Sequence, residues 1–200
     1  MHRYNPYFHH RKSIRLKGYD YAQAGLYFIT ICCQDRICRF GHIENRKMVL
    51  NECGQIANDE WMKTPEIRPN VKLHAFVVMP NHMHGIIQIL YPGVGGGEPQ
   101  TPYNNAEPHS SDNVSPDDGS RGELNSPLLR GPSQTIGAIV RGYKSAVTKQ
   151  INLLGMIDGP KKLWQRNYYE CIIWNEKSYQ RISKYIIDNP AKWADDKFYK

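Results

Sequence analysis

The chain has no run approaching the ~18 consecutive apolar residues that a membrane-spanning helix needs, so an integral membrane role is not expected. Its start, Met1-His-Arg-Tyr-Asn-Pro, lacks both an apolar core and a small-residue cleavage site, which argues against a secretory signal. The five cysteines, Cys32, Cys33, Cys38, Cys53 and Cys171, include no C-x-x-C pair. That spacing argues against a disulfide framework and a structural zinc knuckle, and it predicts a reduced, cytoplasmic setting. No G-K-[ST] follows the glycines that begin at Gly93, so they do not form a phosphate-binding P-loop. Internal repeats are missing. What remains is 200 residues with 40% hydrophobic content, enough for one domain with a real core and tight for two.

Charge narrows the reading further. Lys and Arg number 26 against 19 Asp and Glu, a net +7, and the excess is concentrated at the ends. Residues 1–20 hold five basic side chains and one acidic; residues 132–200 hold twelve and six. Residues 91–131 reverse the sign, with two basic and six acidic. Two basic ends around a near-neutral middle suit a polyanionic partner such as nucleic acid, although a solvated basic surface would give the same count.

Four apolar runs rich in β-branched and aromatic residues read as strands, at 26–33, 71–79, 83–90 and 163–173. Pro80-Asn81 between the second and third predicts a hairpin with a short turn. Helical spacing covers 48–63, through Val49, Cys53, Ile56, Ala57 and Trp61, and 133–154, with Ser133 as the expected cap. A last helix is expected from Asn175 as N-cap to Asn189, where Pro190 blocks continuation. The order β-α-β-β-α-β plus a helix predicts an α+β fold, a ferredoxin-like antiparallel sheet with an additional C-terminal helix. Residues 91–131, rich in Gly, Pro and Ser, read as a mobile acidic insertion within a domain spanning 21–200, and 1–20 as a basic arm.

The sharpest local pattern is Val78-Met79-Pro80-Asn81-His82-Met83-His84-Gly85. Residues two apart on a strand face the same side, so His82 and His84 aim their imidazoles into one space. Two neutral imidazoles on a rigid strand form half of a divalent-cation site. H-x-H alone is a weak motif, but this one follows a Pro-Asn turn and precedes a small glycine. The segment resembles the His-hydrophobic-His (HUH) motif of single-tyrosine transposases, in the branch called REP-associated tyrosine transposases. Leu163-Trp164-Gln165-Arg166-Asn167-Tyr168-Tyr169-Glu170 is similar to that branch's tryptophan–glutamine strand. Tyr185-Ile186-Ile187-Asp188-Asn189-Pro190 is similar to its nucleophile helix.

The resemblance implies a metal-dependent enzyme that cleaves and rejoins single-stranded or hairpin DNA through a 5′-phosphotyrosine intermediate. Its cofactor would be Mg2+ or Mn2+, held by His82, His84 and an amide side chain. Tyr185 is the implied nucleophile and Asn189 the implied third ligand, since in the family the amide follows the tyrosine at this interval. Four residues apart, the two share one helical face about 6 Å apart along the axis. Asp188 is the runner-up ligand, because carboxylates bind hard cations more strongly. Asn189 precedes Pro190, which disfavours α geometry there. Tyr143, flanked by Arg141 and Lys144, is the rival nucleophile, and His74 reads as structural. Of the adjacent Tyr168 and Tyr169, one is expected to be buried and the other free to stack on a base.

Arg11, Lys12, Arg15 and Lys17, interleaved with aromatic residues, and Lys144 and Arg166 further on, are the expected DNA contacts. The implied partner is DNA carrying a hairpin with a short flanking site, the implied location the nucleoid, and the implied state a monomer or homodimer. A domesticated hairpin-binding protein that does not cut is the alternative. An RNA-binding ferredoxin-like domain ranks last, because its aromatic signature is missing.

Overall fold

A computed structural model describes residues 23–90, 135–156 and 162–199. The basic arm and the acidic insertion expected from the sequence lie outside these residues. Four strands, β1 (Gly25–Cys32), β4 (Val71–Met79), β5 (His82–Ile89) and β6 (Tyr169–Ile173), form one sheet in the order β4-β5-β1-β6. All three pairings are antiparallel. Counting only these strands the order is 2-3-1-4, the ferredoxin-like arrangement expected above.

The sheet is covered on both sides, which is why β5 is buried at every position, its polar His82, His84 and Gln88 included. One face carries Tyr27, Ile29, Ile31, Met83, Ile87 and Ile89. Against it pack α1 (Glu52–Met62), through Ala57 and Trp61, and α3 (Ile136–Leu153), through Ile139, Val140, Tyr143, Val147 and Ile151. The other face carries Leu26, Ile86 and Ile173, covered by α4 (Glu176–Asp188) through Tyr179, Ile182 and Ile186. On β5 the residues of this second face are His82, His84, Ile86 and Gln88. The histidine pair therefore lies in the α4 layer, not in the main core.

Three boundaries differ from the sequence reading. Residues 48–63 are not one helix: β2 (Gly41–Glu44) and β3 (Lys47–Leu50) form a separate hairpin, and α1 starts only at Glu52. Asn45 and Arg46 turn that hairpin with φ of 49° and 63°, the left-handed pair that a tight two-residue turn requires. Asn51 then caps α1 by accepting from the Gly54 N–H at 2.9 Å. α3 is capped by Thr135, whose Oγ1 accepts from the Ala138 N–H at 3.1 Å; the expected cap, Ser133, lies outside the described residues. The last strand begins at Tyr169 rather than at 163, and Trp164 makes only an isolated bridge with Cys33. The reason lies on α3: Lys144 Nζ donates to the Gln165 and Asn167 carbonyls at 2.9 and 3.1 Å, and the Trp164 indole donates to the Lys144 carbonyl. Leu163 and Gln165 bond backbone to backbone with Gln34 and Cys32 at that bridge, but the Gln165 and Asn167 carbonyls are satisfied by Lys144, so the ladder does not continue until Tyr169. The short α2 (Thr64–Ile67) leads into β4.

Gly85, immediately after the histidine pair, is dictated by packing. A Cβ there would lie 2.7 Å from Cζ2 of Trp61. Trp61 is fully buried, with Tyr143 at 5.1 Å and Phe76 at 6.3 Å between ring centroids, and has no room to retreat. Gly85→Ala is therefore expected to lower the free energy of unfolding by about 1–3 kcal/mol. Urea denaturation checks this, and an unchanged midpoint would contradict the packing argument.

Candidate active site

Antiparallel pairing of β1 with β5 sets Thr30 opposite His84 and Cys32 opposite His82. The two imidazoles meet edge to edge, Nε2 to Nε2 at 3.0 Å, and both rings are buried. Each Nδ1 is tied from behind: His84 to Thr30 Oγ1 at 2.8 Å, His82 to Asn81 Oδ1 at 2.9 Å. An amide oxygen only accepts, so His82 Nδ1 carries the proton and its Nε2 presents a bare lone pair. The Thr30 hydroxyl can donate or accept, so His84 can present either a proton or a second lone pair. Burial pushes His82 down to about 2, with His84, Lys197 and Arg36 adding to it. Burial, then Lys197, pushes His84 down to about 3. Both rings are thus neutral nitrogen donors at any ordinary pH.

Tyr185 reaches this pair from α4. Its hydroxyl is 3.1 Å from His84 Nε2, and its ring packs at 5.2 Å from the His84 ring and edge-on to Phe28. Burial and the nearby Asp196 raise its pKa, while a hydrogen bond from Asn189 works the other way. Asn189 is the C-cap of α4 and stays helical, with φ −57° and ψ −45°, despite the proline that follows. Pro190 starts a new 3-10 turn, Pro190–Asp195, where a missing N–H costs nothing. Asn189 is 2% exposed and its Oδ1 has no hydrogen-bond partner. An unpaired acceptor at that depth is rare and calls for a cause.

Asp196 was not legible in the sequence. After the 3-10 turn the chain doubles back, and a carboxylate oxygen of Asp196 and one nitrogen each of His82 and His84 all lie within 4.8 Å of one another. No spacing rule marks it, because it arrives through a chain reversal rather than on a regular element. The returning segment is pinned by Asn81, whose Nδ2 donates to the Phe198 carbonyl at 2.8 Å and to the Arg36 carbonyl at 3.1 Å. Arg36 in turn donates to the Lys197 carbonyl, and the Phe198 ring lies 4.5 Å from that of His82. Asp188, the runner-up ligand, points elsewhere and pairs with Lys184 at 2.9 Å and Lys192 at 3.6 Å.

The other expectations sort cleanly. Tyr143 is buried in the main core with its hydroxyl on the Ala57 carbonyl, too far inside to act as a nucleophile. Tyr169 is exposed beside Phe28, whereas Tyr168 packs against the core and bonds Glu170. Lys144 spends its charge on two backbone carbonyls, and burial lowers it to about 8. It lines a groove of about 650 Å³ with Lys149, Asn152 and Trp164, while Arg166 is exposed. Arg11, Lys12, Arg15 and Lys17 lie outside the described residues.

An antiparallel sheet of this strand order, with helices on both faces, is a fold shared with REP-associated tyrosine transposases. One such protein, solved bound to a REP hairpin, matches this chain with a TM-score of 0.52 at 21% identity, over 92% of this chain and 77% of its own. The chain belongs to the same family as an uncharacterized protein of Haemophilus influenzae (strain ATCC 51907 / DSM 11121 / KW20 / Rd). The two are 40% identical over 205 residues, 98% of this chain and 97% of that protein. No protein-family model matches the chain.

Asn81 supports both His82 and the returning segment, so its loss tests the architecture directly. Asn81→Ala strands buried partners and is expected to cost about 1–3 kcal/mol. Limited proteolysis should cut the segment after residue 190 faster than in wild type. Equal cleavage rates would contradict the pinning role.

Proposed function

We propose that this chain is a single-tyrosine DNA transposase of the HUH type. It nicks and rejoins single-stranded or hairpin DNA, with Tyr185 as nucleophile and His82, His84 and Asn189 as metal ligands. The observation that carries the reading is the phenol of Tyr185 at 3.1 Å from the paired imidazoles, inside one chain. The donor set fits a divalent cation. Two neutral imidazole nitrogens face each other, an amide oxygen is buried without a partner, and the Asp196 carboxylate adds the negative charge. Mixed nitrogen and oxygen donors suit Mn2+ better than Mg2+, though both take oxygen ligands. Asp196 joins the ligand set on geometry alone.

When bound, the ion supplies Lewis-acid polarisation of a phosphodiester oxygen. The rest falls to the chain. Thr30 and Asn81 hold the two rings in orientation, as partners behind metal-binding histidines do. The α4 backbone holds the Tyr185 oxygen at the site, and the Asn189 hydrogen bond stabilises it as the phenolate forms. That oxygen forms a bond to phosphorus as the bond to the 3′ oxygen breaks. The products are a 5′-phosphotyrosine and a free 3′-hydroxyl; the phenolic proton leaves to solvent and the 3′ oxygen takes one up. Attack by a DNA 3′-hydroxyl reverses the step. Arg36 and Lys197, whose charges already act on His82, supply positive potential for the flanking phosphates. Arg166 and the basic residues 11, 12, 15 and 17 are proposed to track the DNA backbone beyond the site. Because Tyr185 meets His84 of its own chain, a second copy is not needed to complete the site. Among the described residues no helix is long and apolar enough to cross a membrane.

Labelled hairpin oligonucleotides with Mn2+ should give a denaturation-resistant protein–DNA band that disappears in Tyr185→Phe and on EDTA treatment. Equal bands from wild type and Tyr185→Phe would remove Tyr185 as nucleophile. DNA binding indifferent to both treatments, with no band at all, would make the protein a hairpin binder that does not cut. His82→Ala should weaken Mn2+ binding, read by calorimetry, by at least the ~10–100-fold that loss of an outer-shell partner causes. Unchanged Mn2+ affinity would remove the imidazole pair as the metal site.

A further inference from the structure

On the α4 face, at the opposite end of β5 from the imidazole pair, a second polar cluster is built with equal care. β4 pairs with β5 through Leu73↔Ile87 and resumes at Phe76↔Gly85, so His74 and Ala75 together face Ile86 alone. This β-bulge turns two successive side chains toward α4, where a regular strand would turn only one. Ala75 packs into the α4 layer, and His74 is bonded on both ring nitrogens. Its Nε2 is 2.9 Å from Gln88 Oε1 and its Nδ1 is 3.0 Å from the Tyr179 hydroxyl. Gln88 Oε1 can only accept, so Nε2 donates and, in the neutral ring, Nδ1 accepts from the Tyr179 phenol. The rings of His74 and Tyr179 also meet edge to face at 5.5 Å.

The helix needs such a contact. Only Ile186 of α4 is fully buried, and a groove of about 460 Å³ runs between α4 and Ala75. Apolar burial is non-directional and fixes neither the rotation nor the axial position of a thinly seated helix. Tyr179, Ile182, Tyr185, Ile186 and Asn189 share the sheet-facing side at helical spacing. Tyr179 and Tyr185 are six residues apart, about 9 Å along the axis. A directional bond at Tyr179 therefore sets where the Tyr185 oxygen falls.

We propose that His74, presented by the bulge and locked by Gln88, is a positioning residue that registers α4 so that the Tyr185 hydroxyl meets His84. It acts through Tyr179 and touches no reacting atom. The proposal rests on the reading of Tyr185 as nucleophile for its effect on rate, but not for its effect on geometry.

The test measures single-turnover adduct formation and hairpin affinity in His74→Ala, Tyr179→Phe, the double variant and His74→Gln. A ¹⁹F NMR signal from Tyr185→3-fluorotyrosine is followed in the same backgrounds. His74→Ala and Tyr179→Phe should each slow adduct formation about tenfold to a hundredfold, the scale set by ångström misplacement of a reacting group, with hairpin affinity unchanged. The double variant should be no slower than either single one, because both break one contact. His74→Gln, which keeps a donor and an acceptor, should restore the rate. The ¹⁹F resonance should move toward that of a free surface tyrosine in His74→Ala and return in His74→Gln. Additive losses, a rate unaffected by both single variants, or a stationary resonance would overturn the proposal. If His74→Ala does not fold, Tyr179→Phe, which removes one oxygen, decides alone. If wild type forms no adduct, the transposase reading fails while the resonance still decides the registration.

Discussion

Everything in this molecule turns on two imidazoles kept neutral at 3.0 Å from each other in a buried layer. Burying a polar ring without a partner is costly, and burying a charged one more so. Both costs are avoided by tying each Nδ1 to a fixed oxygen, Thr30 Oγ1 on β1 and Asn81 Oδ1 on the turn before β5. Those oxygens come from the strand register and from the turn, respectively. A slip of one residue in the β1–β5 pairing would exchange the faces, bringing Ile29 and Ile31 to the site and Thr30 to the core. The apolar residues that lock the register, Tyr27, Ile29, Ile31, Met83 and Ile87, are therefore as necessary to the site as the histidines.

The second layer serves a different purpose from the first. The α1–α3 side is a dense core with Trp61, Tyr143 and a row of aliphatic residues, and it accounts for most of the buried apolar surface. The α4 side is thin, with Ile186 as the helix's one fully buried residue, and it is studded with polar groups. Apolar burial is thus concentrated on one face of the sheet and the polar cluster on the other. That division lets a phenol stay 40% exposed while its oxygen contacts a buried ring.

How much of this was legible depends on how local the information is. The four main strands, the antiparallel hairpin at Pro80-Asn81 and the shared face of His82 and His84 follow from period-2 patterning. Asn175 as N-cap and the pairing of Tyr185 with Asn189 follow from helical spacing. The β2–β3 hairpin was hidden because Val49 and Cys53 stand four apart and mimic a helix that in fact begins at Glu52. The start of β6 was hidden because Lys144, distant in sequence, draws off the backbone carbonyls of Gln165 and Asn167. The same contact gives Lys144 a structural role, holding two backbone carbonyls, that a count of charges does not show. Asp196 and the His74 bulge were unreadable for one reason. Each is placed by long-range pairing, not by any property of its own neighbours in the chain.

The electrostatics of the site explain why these particular residues surround it. Two neutral rings contribute no net charge, and Asp196 contributes a negative one that opposes ionisation of Tyr185. Arg36 and Lys197, both close to Phe198, stand on the same side and act on His82 in the positive sense. Asp196 and Lys197 are neighbours on the returning segment, so the two bonds that anchor it, Asn81 to the Phe198 carbonyl and Arg36 to the Lys197 carbonyl, deliver both signs together. Loss of both bonds would release the carboxylate and the ammonium at once, taking from the phenol the anion that raises its pKa. The returning segment therefore carries one charge that acts on Tyr185 and another that acts on His82. Asn81 both helps hold that segment and orients His82, so the direction of the ring and the local charge depend on one side chain.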